Sequence, residues 1–146
     1  MTPHSSLPPT RPMQILLIED DLADIKLTKR ALENDRIPHE THVARDGVEA
    51  LQFLRREGKH AEAPRPDIIL LDLNMPRMDG RETLHRLKND NDLKSIPVIV
   101  TTTSESESDI RQSYLEHANT YITKPVGLNE FKQVTDVIRT YWFSVA

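Results

Sequence analysis

Two stretches of the chain show no alternation of apolar and polar positions. Met13 to Ile18 reads Met-Gln-Ile-Leu-Leu-Ile and ends in Glu19-Asp20-Asp21. Ile68 to Leu71 is wholly apolar and runs into Asp72, after which the chain turns at Met75-Pro76 and again at Asp79-Gly80. A strand without a polar face is covered on both faces, as in a parallel sheet between helix layers. Residues 96–100, continued by 101–104, predict a further apolar strand, and weaker strands fit 40–44 and 119–123. Helical spacing fills the intervals. Leu22, Ile25, Lys29 and Leu32 share one side over 21–34, with acids in the first turn favouring the helix dipole. Asp46-Gly47 opens a second helix, Asp46 as its cap and Val48, Leu51 and Leu54 inward. Leu84 and Leu87 mark a third helix over 81–89, and Ile110, Tyr114 and Leu115 a fourth over 106–117. Phe131, Val134, Ile138, Tyr141 and Trp142 mark a last helix over 128–142, facing the core or a partner.

Strands and helices thus alternate five times with short connections. That pattern predicts an α/β, flavodoxin-like (βα)5 doubly wound parallel sheet with strand order 2-1-3-4-5. Ligands bind such sheets at the carboxyl edge, where the strand order reverses between the first and third strands. Those two strands end in Glu19-Asp20 and in Asp72.

Three carboxylates brought to one edge repel one another, and a divalent cation removes the conflict. Magnesium prefers oxygen ligands, keeps several waters and joins carboxylates to phosphate oxygens. The chemistry this favours is phosphoryl transfer, with Asp72 as a carboxylate nucleophile. A hydroxyl and a fixed cation for the phosphoryl oxygens are offered by Thr102 and Lys124, at the ends of the fourth and fifth strands. Each residue taken alone also has a plainer reading. Acids at a helix start serve as caps or solvated charge. An Asp after a strand is common turn chemistry. Thr102 suits a strand, Lys124 a solvated surface, and Tyr121 a core rim. Co-location at one sheet edge is what favours the chemical reading.

The totals narrow the setting. A chain of 146 residues suits one domain. It has no cysteine, hence no disulfide or thiolate chemistry, which fits a reducing, cytoplasmic location. A net charge of -4 argues against nucleic-acid or membrane binding as its main task. No apolar run approaches the roughly 18 residues of a membrane span. Residues 1–12 carry four prolines, lack a secretory signal, and read as a flexible tail before a folded unit at 13–146.

These residues resemble the receiver domain of two-component response regulators over about 13–142. The resemblance rests on Ile-Leu-Leu-Ile-Glu19-Asp20, on Leu-Leu-Asp72-Leu-Asn-Met-Pro76 with Asp79-Gly80, on Thr102, and on Tyr121-Ile-Thr-Lys124-Pro125. Thr102 lies 30 positions after Asp72, and Lys124 lies 22 after Thr102. The resemblance implies Asp72 as phosphoacceptor, with Mg2+ held by Glu19, Asp20, Asp72 and the Asn74 backbone carbonyl. It implies Lys124 and Thr102 on the phosphoryl oxygens, Tyr121 as an aromatic switch, and a cis bond before Pro125. Asn74, Thr103 and Ser104 flank the site where the family varies its hydrolysis rate. Thr101 stands at a usually aliphatic position, so looser packing is expected there.

Within the family the chain is similar to stand-alone regulators of bacterial phytochrome histidine kinases. Pro64-Arg-Pro-Asp67, Asp79-Gly-Arg81-Glu, Ile96-Pro97 and Tyr141-Trp142-Phe143 carry that likeness. It implies a single receiver domain without an output domain, phosphorylated by a sensor histidine kinase and signalling to a downstream phosphotransfer or effector protein. It also implies a homodimer, for which Tyr141, Trp142 and Phe143 are candidate interface residues. Only self-phosphorylation and self-dephosphorylation are expected as chemistry of its own. Two other readings compete. A magnesium-dependent aspartyl phosphatase normally places a second Asp where Asn74 stands. A phosphorylation-independent docking module would not need the full acidic set.

Overall fold

The computed structural model describes residues 11–73, 80–102, 120–123, 125 and 127–145. Five strands form one parallel sheet: β1 (Met13–Ile18), β2 (His39–Ala44), β3 (Ile68–Asp72), β4 (Val98–Thr102) and β5 (Thr120–Thr123). Their order is β2-β1-β3-β4-β5, as expected for the flavodoxin-like arrangement. Every neighbouring pair is parallel, with Ile18 beside both Ala44 and Leu71, and Asp72 beside Thr101. The described helices are α1 (Leu22–Asn34), α2 (Gly47–Leu54), α3 (Gly80–Lys88) and α4 (Lys132–Val145). A short helical turn at Gly58–His60 follows α2. The helix expected over 106–117 lies outside the described residues.

The apolar runs of β1 and β3 divide by pleat between two cores, because successive side chains point to opposite faces. Leu16, Ile18, Ile69 and Leu71 meet Ala50, Leu51 and Phe53 of α2 and Leu84 and Leu87 of α3. Ile15, Leu17, Ile68 and Leu70 meet Ile25 and Leu32 of α1, Phe131 just before α4, and Val134, Ile138 and Trp142 of α4. Burying each such large side chain contributes about 1.5–3 kcal/mol, which is why strands without a polar face are stable here.

Local chemistry sets the element ends. Asp21 caps α1 by accepting from Asp24 N at 3.1 Å, and Asp46 caps α2 by accepting from Glu49 N at 2.8 Å. Ile96 and Pro97 precede β4 rather than open it: Ile96 N donates to Leu93 O in a turn, and proline has no N–H for the ladder. Residues 128–131 form turns before α4 instead of its first helical residues.

One expectation on α1 needs correction. Leu22 was placed on the inner side of α1, yet it is 56% exposed. It lies in the first turn, level with the end of β1, where the sheet offers nothing to cover it. The buried positions of α1 are Ile25, Thr28, Ala31 and Leu32. Arg11, near the end of the stretch read as a tail, has a partner in the folded unit. Arg11 forms a two-pronged ion pair with Asp67 at 2.8 and 2.7 Å, and its guanidinium lies 5.0 Å from the Trp142 ring centroid.

Candidate functional site

The carboxyl edge of the sheet gathers the acids. Glu19 extends the pairing of β1 by one residue, its N–H donating to Ala44 O at 3.0 Å. Its Oε2 accepts from Asp21 N at 3.2 Å. Asp72 is the last residue of β3. Glu19 and Asp72 are each only 3% exposed, and Asp20 is half-buried. One oxygen from each of Glu19, Asp20 and Asp72 lies within 4.8 Å of the other two. The acidic run after β1 therefore splits its duties. Asp21 does the capping that acids at a helix start usually do, which leaves Glu19 and Asp20 for the cluster.

Buried carboxylates are stable only when charge or hydrogen bonds compensate them. An all-oxygen donor set of this kind suits hard divalent cations such as magnesium or manganese. Glu19, Asp20 and Asp72 are the residues that would hold one. Bound there, the cation would neutralise charge on phosphoryl oxygens.

Three further features shape this edge. The start of α3 lies against the end of β3, with Gly80 N donating to Leu73 O at 3.1 Å. A Cβ on Gly80 would lie 2.3 Å from Leu73 Cα and 2.5 Å from Asp72 O, so only glycine fits. The sequence marked Gly80 as a turn, but the close approach to the Asp72 backbone could not be read from it. Arg45, which the sequence gave no reason to single out, donates from Nη2 to Asp20 O at 2.7 Å. Thr101 lines a cavity of about 20 Å³ with Glu19, Thr28, Pro125 and Phe131, among others. That volume is enough for one water.

The other candidates fall as follows. Pro125 is buried beside this cavity. Tyr121 is half-buried and packs against the core between the sheet and α2–α3. Thr102 ends β4, and its side chain lies outside the description. Asn74, Thr103, Ser104 and Lys124 lie outside the described residues, and with Lys124 the geometry of its bond to Pro125. Trp142 is 3% exposed and sits in the core of its own chain, at the opposite edge of the sheet from the acids. Burial removes it as a ready contact for a second copy. Tyr141 is half-buried at the rim of the same core, and the Phe143 side chain lies outside the description.

A fold of this order, with three acids at its switch point, is the architecture of a receiver domain. The chain belongs to the response regulator receiver domain family, whose profile matches residues 15–136. Phosphorylation-dependent signalling is the function expected of it. Among curated proteins it is 44% identical over 131 residues to response regulator Rcp1 of Synechocystis sp., covering 90% of this chain and 89% of that one. Among solved structures it is similar to the phosphorylated cyanobacterial phytochrome response regulator RcpA, with 50% identity and a TM-score of 0.83. That match covers 92% of this chain and 96% of RcpA. It is also similar to the Mn2+-bound form of Rcp1, with 43% identity and a TM-score of 0.82 over 92% of this chain and 97% of that one. The chain is thus related to phytochrome response regulators, and among its described residues no helix is long and apolar enough to cross a membrane.

Proposed function

We propose that the chain accepts a phosphoryl group on Asp72 from a sensor histidine kinase of the phytochrome type. The observation that carries this reading is the meeting of Glu19, Asp20 and Asp72 at the switch point of the sheet. In the transfer, an Asp72 carboxylate oxygen forms a bond to phosphorus as the bond from phosphorus to the kinase's histidine nitrogen breaks. The products are an acyl phosphate and a free imidazole.

Glu19, Asp20 and the Asn74 carbonyl would hold Mg2+ together with Asp72, as the all-oxygen donor set supports. Lys124 pairs with the phosphoryl oxygens, and Thr102 donates its hydroxyl to one of them. Tyr121 follows Thr102 inward, so that phosphorylation shifts the population toward an altered surface. Asn74, Thr103 and Ser104 tune the lifetime of the acyl phosphate. That surface is read by a downstream phosphotransfer or effector protein, or by a second copy of the chain. The likeness to RcpA and Rcp1 supports the phytochrome assignment.

The test is intact-mass analysis after incubation with acetyl phosphate, with and without magnesium. The expected result is one phosphoryl adduct that needs magnesium and is absent from Asp72→Asn. An equal yield of adduct on Asp72→Asn would remove Asp72 as the acceptor.

A further inference from the structure

Asp20 is the most exposed of the three acids and the one least held by packing. Glu19 is fixed at both ends, its main-chain N–H on Ala44 and its side chain on the Asp21 N–H. Asp72 is held within the sheet beside Thr101. For Asp20 the anchor comes from the neighbouring crossover. Arg45 follows Ala44, the last residue of β2, and its Nη2 donates to the Asp20 carbonyl at 2.7 Å.

The base of that clamp is itself rigid. Arg45 N donates to Glu49 Oε2 at 3.1 Å, while Glu49 N donates to Asp46 Oδ1 at 2.8 Å. Asp46 thus caps the start of α2, and the Glu49 side chain reaches back one residue beyond that cap to hold the Arg45 N–H. The segment carrying both acids is tied to this turn twice, through Glu19 N on Ala44 O and through Asp20 O on Arg45. Holding the carbonyl of a peptide fixes the peptide plane and limits where the adjoining side chain can point.

We propose that Arg45 is a positioning residue for the cation site. It orients the Asp20 peptide so that the Asp20 carboxylate stays turned toward Glu19 and Asp72. The proposal rests on the reading of that cluster as a divalent-cation site. Two effects of Arg45 on a bound cation have opposite signs, which makes the role testable. Its positive charge repels a divalent ion at the acids, so a residue acting only as a charge would weaken binding. A residue acting as a clamp strengthens it by pre-ordering a ligand, since groups that orient metal ligands govern affinity as strongly as many ligands do.

The experiment is calorimetric titration of magnesium into the whole chain, as wild type, Arg45→Ala and Arg45→Lys. The clamp predicts binding about tenfold weaker in Arg45→Ala and largely restored in Arg45→Lys, which keeps a donor of similar reach. Thermal unfolding without magnesium should be the same for wild type and Arg45→Ala. Unchanged or tighter binding in Arg45→Ala would overturn the proposal. So would a loss of thermal stability in Arg45→Ala large enough to account for the weaker binding. No magnesium binding by the wild type would take down the reading of the cation site itself, and the clamp with it.

Discussion

Asp67, just before β3, and Asp72, at its end, lie five residues apart and meet opposite surroundings. At the amino edge, Asp67 receives two prongs from Arg11 and the Gln14 N–H at 2.7 Å. Burial opposes its ionisation, but these donors outweigh it and hold its carboxyl below the ordinary carboxylate range. Arg11 also covers Trp142, so one cation closes the ion pair and caps the last core aromatic. At the carboxyl edge, Asp72 lies close to two more acids, Glu19 and Asp20, the two residues that follow β1. The first arrangement balances its charge inside the chain and is structural. The second brings three carboxylates together at a largely buried edge, an all-oxygen donor set that suits a divalent cation.

The largest effect is expected where the amino edge is most deeply packed. Trp142→Ala should lose about 3–5 kcal/mol of stability in urea unfolding followed by circular dichroism, as for other buried aromatics. A loss confined to self-association, with monomer stability unchanged, would instead place Trp142 at an interface. At the carboxyl edge the sign should reverse. Glu19→Gln removes one of three neighbouring negative charges and should raise stability without magnesium by about 1 kcal/mol. It should also abolish most of the stabilisation that magnesium confers on the wild type by binding the folded state. Equal loss of stability in both conditions would make Glu19 a structural residue like Asp67.

The smallest effect sharpens the pairing at Asp67. Arg11→Ala should cost about 1 kcal/mol at neutral pH, a modest value because the Arg11 side chain is largely exposed. Since the folded Asp67 carboxyl is held below its unfolded value, its contribution is fully present above about pH 4 and fades as pH falls through the folded value. The difference between wild type and Arg11→Ala should therefore shrink in acid. A difference that persisted unchanged at low pH would assign the effect to stacking on Trp142 rather than to the ion pair.

The parts legible in the sequence were those that depend on local period and on strand ends. The apolar runs of β1 and β3, without a polar face, reported burial on both faces, and the alternation of elements pointed to the strand order. Because the edge of a parallel sheet is fixed by that order, Glu19, Asp20 and Asp72 could be brought together on paper. What escaped were contacts between residues distant in the chain. Arg11 reaches Asp67 across 56 positions, and Arg45 reaches Asp20 across 25, with no pattern to announce either. Gly80 was visible as a turn, while its contact with the Asp72 carbonyl is a matter of tertiary approach. Leu22 failed for a related reason. Its place on the helical wheel was right, but the sheet ends before it can be covered.

The most direct test of the account is to locate the acyl phosphate. The chain is phosphorylated with acetyl phosphate and magnesium, reduced with borohydride to convert the modified aspartate to homoserine, and mapped by peptide mass spectrometry. The account predicts homoserine at position 72 alone, with Asp67, Glu19 and Asp20 unmodified. Label at Asp67, or spread over the acids of the cluster, would contradict the division between a charge-balanced edge and a phosphoryl-accepting one.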